Sequence, residues 1–229
     1  MKRFASLFVF ATLALLLTGW PVSAQNNKTV GAKGSLVPLK IHYPKPLFID
    51  MTRHWDIPNL QPPTMQPPAP FYVPRGVRNL ALNQPVTSNA PTPEMGELNM
   101  ITDGDNAGSD GHYVRLEPGL QWVQIDLGAR HRIYAIQVWH YFKQPRVYFD
   151  VIVQLSDDKN FESGVKTVFN NDNDDSSFLG SGKDKNYVET HWGKLIPVRG
   201  IKARYVRLYT NGNSNNPLNH YIEVQVYGK

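Results

Sequence analysis

Two aspartates on either side of a glycine form the first pattern with a clear chemical use. Asp103 and Asp105 flank Gly104 in the stretch TDGD. A loop bent sharply enough to need glycine can direct both carboxylates towards one point, and such hard oxygen ligands suit a calcium ion. The same residues also suit an ordinary turn, in which each aspartate accepts a hydrogen bond from a nearby backbone amide. Both interpretations predict a tight acidic loop.

The segment after this loop alternates polar and apolar residues with the period of a half-buried strand. Residues 122–127 read WVQIDL, so every second side chain is apolar. Similar patterns, separated by clusters of Gly, Asn, Asp and Pro, predict further strands. The predicted strands are 121–127, 132–140, 147–155, 165–169, 203–210 and 221–227. No segment has sustained helical periodicity, so the predicted class is all-β.

Five blocks of sequence, in this order, resemble the coagulation factor 5/8 type C domain, also called the discoidin domain. The blocks are NLALNQPVTS (79–88), TDGD, WVQIDLG (122–128), ARYVRLYT (203–210) and YIEVQVYG (221–228). The resemblance implies an eight-stranded, galactose-binding-like jelly-roll β-sandwich over residues 79–229. Many bacterial members of that family are carbohydrate-binding modules. The resemblance is less specific for a ligand, because one fold can host many functions.

The same resemblance implies a structural calcium site. In the family, the ion lies under the loop after the first strand and is held by acidic side chains, backbone carbonyls and a glutamate near the C-terminus. The implied ligands are the side chains of Asp103, Asp105 and Glu223, with the backbone of Met100, Gly108 and Ile222. Three carboxylates in an all-oxygen site match the preferences of calcium.

Two polar loops, residues 139–146 and 211–220, predict a ligand surface. Jelly-roll sugar binders place an aromatic ring against the apolar face of a sugar, with polar side chains on its hydroxyls. The resemblance places both loops at the same end of the fold, with Arg146 near a sugar-contacting arginine of related modules. The predicted ligand-binding residues are His140, Tyr141, Arg146, Asn215, Asn216 and His220. The alternative is structural: Arg146 pairs with an acidic neighbour, and the asparagines only form turns.

A third polar stretch, residues 169–196, is longer than a sandwich loop needs. Its acidic residues could bind a second cation, or Tyr187, His191 and Trp192 could extend a sugar platform. The remaining interpretation is a solvated insertion. The acidic residues are Asp172, Asp174, Asp175, Asp184 and Glu189.

The N-terminal region predicts export. Lys2 and Arg3 precede an apolar run, and small residues follow at 22–24, so residues 1–24 are predicted to be a cleaved signal peptide. No later stretch is apolar enough to span a bilayer. The chain has no cysteine, which excludes disulfides and departs from the coagulation-factor branch of the family. Together these features predict a bacterial protein of the periplasm or cell exterior.

Residues 25–78 predict an extended, proline-rich arm. Ten of the 18 prolines lie between Pro38 and Pro74, a density that excludes helix and central strand. The arm also contains more aromatic residues than a solvated linker needs, which indicates that part of it packs on the sandwich or on a partner.

The charge distribution and the lack of catalytic motifs limit which classes of function the sequence supports. The net charge of +5 is not clustered as nucleic-acid binding requires, and no catalytic motif is present. We therefore expect a non-catalytic module that binds a glycan or polysaccharide. The alternative is a cell-envelope interaction module that docks a protein through the same loops and the aromatic arm.

Overall fold

The structure is a computed structural model that describes residues 35–46, 54–90 and 92–229. The predicted signal peptide and the start of the arm lie outside these residues. The described strands are β1 (Leu36–Pro38), β2 (Tyr72–Pro74), β3 (Arg78–Asn79), β4 (Val86–Ser88), β5 (Val114–Leu116), β6 (Leu120–Trp139), β7 (Ile152–Ser156), β8 (Lys166–Asn170), β9 (Lys194–Asn211), β10 (Asn219–Tyr221) and β11 (Glu223–Gly228). In these residues the one helix is a 3-10 turn, Leu98–Thr102.

Two long antiparallel strands, β6 and β9, organise the sandwich. Their register breaks between Asp126 and His131, and the two halves of β6 have different outer neighbours. The first half pairs with β4, and the second half pairs with β11. Strand β9 continues the array to β7 and β8. Because bulges let a strand bend from one layer into another, β6 and β9 contribute to both layers of the sandwich. The all-β jelly-roll prediction is confirmed.

The core lies between these layers. Val123, Ile125 and Leu127 are buried, as their alternation predicts. They belong to one large apolar cluster that also contains Ile136 on the second half of β6 and Leu208 on β9. The apolar residues that alternate along the long strands therefore build the core, and the strands position the loops that connect them.

The strand boundaries differ from the predicted ones, and the strand predicted at 221–227 is divided between β10 and β11. The predicted strands 121–127 and 132–140 form one strand, β6, and the strand predicted at 203–210 begins at Lys194. The strand predicted at 147–155 is shortened to β7, because Val147 and Tyr148 form isolated bridges to loop residues instead. These differences arise because strand boundaries depend on pairing partners that are distant in sequence, and a local pattern carries no information about those partners.

The described part of the arm packs against the sandwich. Strands β1 and β2 pair with each other, while Ile41 and Tyr43 contact an apolar cluster of Trp139, Phe142 and Ile222. The arm runs extended there, as its prolines predict. No helix among the described residues is long and apolar enough to cross a bilayer.

Candidate functional site

The acidic loop follows the 3-10 turn and has the predicted bend. Gly104 has a φ of +93°, which favours glycine. Asp103 Oδ1 accepts a hydrogen bond from the backbone of Asp105 at 2.8 Å, and Asp105 Oδ1 accepts one from Ala107 at 2.8 Å. Each aspartate therefore caps the turn with one oxygen, and the second oxygen of each points towards His112 Nε2.

Glu223 lies next to this loop on β11 and is fully buried. Its Oε2 accepts a hydrogen bond from the Gly104 amide at 3.3 Å. Burial, with a smaller contribution from the charges of Asp103 and Asp105, raises the pKa of the Glu223 carboxyl to about 8. A buried carboxyl next to two others is unfavourable when ionised. Because a divalent cation would offset that repulsion, the donor set fits calcium chemistry.

Two of the predicted backbone ligands, Gly108 and Ile222, lie near one another. A Cβ on Gly108, whose φ is +58°, would be 2.5 Å from Ile222 Cδ1, so this loop approaches β11 closely. The sequence analysis missed His112, whose Nε2 lies 3.0 Å from Asp103 Oδ2 and 3.6 Å from Asp105 Oδ2. A protonated His112 would supply positive charge at the same place, and no sequence pattern indicated it.

The two predicted ligand loops meet. Asn215 Nδ2 donates to the Pro145 carbonyl at 3.1 Å. Ser214 exchanges hydrogen bonds with Val147, its amide donating at 2.8 Å and its Oγ accepting at 3.1 Å. Residues 140–146 and 211–220 therefore form one surface, as the resemblance implied.

Three rings cluster where these loops meet, and we call Tyr113, Tyr141 and His220 the aromatic platform. The Tyr113 and Tyr141 ring centroids are 4.8 Å apart, and those of Tyr141 and His220 are 5.8 Å apart. Arg146 Cζ lies 4.7 Å from the Tyr141 ring centroid. Both tyrosines are partly exposed, so the platform offers ring surface to solvent.

Arg146 is almost fully buried. Its Nη2 donates to Gln144 Oε1 at 3.0 Å. Its guanidinium therefore stacks on Tyr141 and holds the loop. None of the ion pairs among the described residues includes Arg146, although the structural alternative required such a pair. A buried cation stacked on a ring is well placed to fix the orientation of that ring.

The predicted ligand residues differ in what they expose. His140 is fully buried, and its Nδ1 lies 2.6 Å from Glu189 Oε1; its ring stacks on Tyr148 at 4.6 Å. Asn216 Oδ1 accepts hydrogen bonds inside its own loop. His140 therefore supports the surface from within, whereas Asn216 is partly exposed but is engaged inside its own loop, and Tyr141 and Asn215 reach solvent.

His220 is held neutral. Burial lowers the pKa of this imidazole to about 3, and the charge of Arg146 contributes to that shift. The Nδ1 atom lies 3.0 Å from the Tyr148 hydroxyl. His220 is therefore an uncharged wall of the platform at neutral pH.

The third polar stretch packs against the arm. Tyr187 and His191 are buried, and the Trp192 ring lies 5.0 Å from that of Tyr43. Trp192 Nε1 also donates to the Met65 carbonyl at 3.2 Å. Arm residues thus cover the Trp192 ring, and Tyr187 and His191 are buried. These are the rings that the sequence analysis offered as an extension of a sugar platform. The platform instead gains Tyr113, which precedes β5 and carried no sequence signal.

Comparison with known proteins agrees with this architecture. No family model matches the chain, and no curated protein matches it. Among solved structures, a family 89 glycoside hydrolase from Clostridium perfringens is similar with a TM-score of 0.50 and 20% identity, over 66% of this chain and 14% of the hydrolase. The fold is a discoidin-like jelly-roll.

Carbohydrate-binding modules are also similar to this discoidin-like domain. The CBM32 of AlyQ, in complex with 4,5-unsaturated mannuronic acid, has a TM-score of 0.45 and 16% identity over 62% of this chain and 92% of that module. Chitosan-binding module 1 of a chitosanase/glucanase from Paenibacillus sp. IK-5 has a TM-score of 0.44 and 20% identity over 66% and 99%.

Proposed function

We propose that the discoidin-like domain is a non-catalytic module that binds a carbohydrate at the aromatic platform. The observation that carries this proposal is the meeting of both predicted loops around partly exposed tyrosine rings. A tyrosine face packs against the apolar face of a sugar, and nearby amides satisfy its hydroxyls. Asn215 and Gln144 are exposed beside the platform and supply such amides.

The buried residues supply preorganisation. Arg146 stacks on Tyr141, and His220 is fixed by Tyr148. A surface whose rings are already held loses little entropy on binding, which favours recognition by a shallow site. Affinity at one shallow surface is modest and increases when several copies or several sugars engage together.

Calcium is part of the proposal. Asp103, Asp105 and Glu223 would hold the ion with the backbone of Met100, Gly108 and Ile222, and its role would be to stabilise the loop rather than to contact the sugar. The buried Glu223 carboxyl beside two aspartates supports this assignment.

Export to the periplasm or the cell exterior is also proposed. It rests on the basic start, the apolar run and the small residues before position 25, together with the lack of cysteine. A glycan-binding module would meet its ligand in those compartments.

A second candidate function is docking of a cell-envelope protein. It is supported by Leu36, which is 61% exposed, and Tyr72, which is 55% exposed, on the paired arm strands β1 and β2. Exposed apolar side chains on an edge ribbon are a common feature of interaction surfaces.

The test is binding of the full-length chain to a broad glycan and polysaccharide panel with calcium present. We expect Tyr141→Ala to weaken binding about tenfold or more, because it removes the central ring. Tyr72→Ala is the matched control, since it removes an exposed tyrosine far from the platform in sequence, and it should bind as the wild type does. If the wild-type protein binds no glycan on the panel, or if both variants lose binding equally, the proposal is contradicted and protein docking is favoured.

A further inference from the structure

A second group of carboxylates lies between the bend at residues 149–150 and the loop at residues 171–176. Asp150, Asp172 and Asp174 each present one carboxylate oxygen, and all three oxygens lie within 4.8 Å of one another. In the described part of the chain, no other three histidine or acidic side chains meet this closely. Two ligands of one calcium ion are at most about 5 Å apart, so these oxygens have the spacing of a coordination sphere.

The carboxylates are held in place by neutral donors. Asp172 Oδ2 accepts hydrogen bonds from the Ser177 amide and hydroxyl. Asp150 Oδ2 accepts from Ser176 Oγ at 3.0 Å and from Asn211 Nδ2 at 2.8 Å. Each carboxylate has about four lone-pair positions, so oxygen sites remain for a cation. The loop thus keeps three acidic groups together without using up their acceptor capacity.

No ion pair of the described residues neutralises this group. Within the described residues, none of the ion pairs includes Asp150, Asp172 or Asp174. Burial raises the pKa of Asp150, and the neighbouring Asp172 and Asp174 contribute to that shift. In the part of the chain that the structure describes, no ion pair therefore offsets the repulsion between these carboxylates.

An independent feature of the same cavity also points to a cation. Asp150, Asp174 and Asn186 line a cavity of about 460 Å³. Asn186 is only 7% exposed. Its Nδ2 donates to the Pro58 carbonyl at 2.9 Å, which fixes the side-chain amide, while its Oδ1 has no hydrogen-bond partner among the described residues. A buried acceptor without a donor is costly, and a cation is a partner that would satisfy it.

We propose that Asp150, Asp172 and Asp174 bind a calcium ion, with Asn186 Oδ1 as a further ligand. Calcium prefers carboxylate and amide oxygens and tolerates irregular geometry. This site is separate in sequence from the acidic loop at Asp103 and goes beyond the proposed glycan function.

The site would join the third polar stretch to the arm. Asn59 Nδ2 donates to Asn173 Oδ1 at 2.9 Å. The backbone amide of Asn186 donates to the backbone carbonyl of Asn59 at 3.1 Å. Arm residues therefore bond to both sides of the acidic group. A cation bound there stabilises the loop and the arm contact together, since it binds only where the loop is folded.

The experiment measures calcium binding at this site separately from any binding at the acidic loop. The full-length chain carrying Asp103→Asn and Asp105→Asn is freed of metal with a chelator, dialysed and titrated with calcium chloride by calorimetry. We expect one equivalent of calcium to bind and the melting temperature to rise. Adding Asp174→Asn should weaken this binding at least tenfold, because it removes one charged ligand.

Asp175→Asn is the matched control. Asp174 and Asp175 are adjacent and exposed, and each accepts one backbone hydrogen bond, from Ser176 and Gly180. Asparagine retains that acceptor in both cases, so the two variants differ only in which charge is removed. Retained binding in Asp175→Asn with loss in Asp174→Asn supports the site. No calcium binding in the doubly substituted background, unchanged binding in Asp174→Asn, or equal loss in both variants overturns it.

Discussion

Tyr141 and Glu223 show how single residues gain their chemistry from what surrounds them. Tyr141 is partly exposed, but Arg146 and Tyr113 fix its ring from the protein side. Glu223 is an ordinary strand glutamate in sequence, but burial beside Asp103 and Asp105 changes its acidity. In both cases neighbours distant in sequence decide what the residue can do.

The Glu223 carboxyl predicts a pH dependence of stability without calcium. Its pKa is about 8 in the folded chain, against an ordinary value of 4.5. Between these values the folded state binds a proton that the unfolded state has lost, so the free energy of unfolding decreases as pH rises from about 4.5 to 8. With a chelator present, we expect the melting temperature to fall across this range.

Glu223→Gln provides the test, because glutamine is neutral at every pH and has a similar shape. In chelator, the melting temperature of this variant should depend less on pH between 5 and 8 than that of the wild type. It should also lose the stabilisation by calcium that we expect at the acidic loop. An identical pH dependence in both proteins would show that Glu223 is not the titrating group.

At the scale of elements, the arm is the feature that departs from a plain sandwich. Tyr43 contacts Trp192 edge-on at a centroid distance of 5.0 Å, and it lies 6.3 Å from Trp139. Trp192 belongs to the third polar stretch, and Trp139 Nε1 donates to the His191 carbonyl in that stretch. The arm thus covers a surface that would otherwise expose rings to water, and we infer that it contributes to stability.

Tyr43→Ala should lower the free energy of unfolding by about 1–2 kcal/mol, since it removes a half-buried ring and its aromatic contacts. Tyr72→Ala removes a tyrosine of the same arm that is 55% exposed, and it should change stability by less than about 0.5 kcal/mol. Denaturant unfolding of both variants measures the difference. Equal values for the two would mean that the Tyr43 contacts add nothing to stability.

At the scale of the whole molecule, residues Gly34–Lys229 form one compact unit. Strands β6 and β9 run through both layers of the sandwich, and the apolar cluster includes residues from each half of β6. Neither layer can lose its packing without exposing the core of the other. The arm is attached to the same strands through Trp139, the last residue of β6.

We therefore expect one cooperative unfolding transition. Far-ultraviolet circular dichroism reports the strands, while fluorescence reports the five tryptophans, which include Trp139 and Trp192 beneath the arm. The two signals should change at the same temperature, as two-state unfolding requires. A fluorescence change at a lower temperature would instead show that the arm separates from the sandwich before the layers unfold.

The sequence by itself determined the fold class, the extended arm and the position of the acidic loop. Alternation at 122–127 is a local consequence of strand geometry, and a glycine at positive φ is a local requirement of the bend at Gly104. Prolines fix the backbone wherever they occur, so the arm was readable without tertiary contacts. The family resemblance additionally predicted that the two ligand loops meet at one end of the fold.

Only the tertiary structure decided which residues of those loops face solvent. His140 and Tyr141 are adjacent in sequence, but one is fully buried against Glu189 and the other reaches solvent. Likewise, Asp150 joins Asp172 and Asp174 through the pairing of β7 with β8. Such groupings depend on register and burial across the whole chain, because charge and solvation act through space rather than along the sequence.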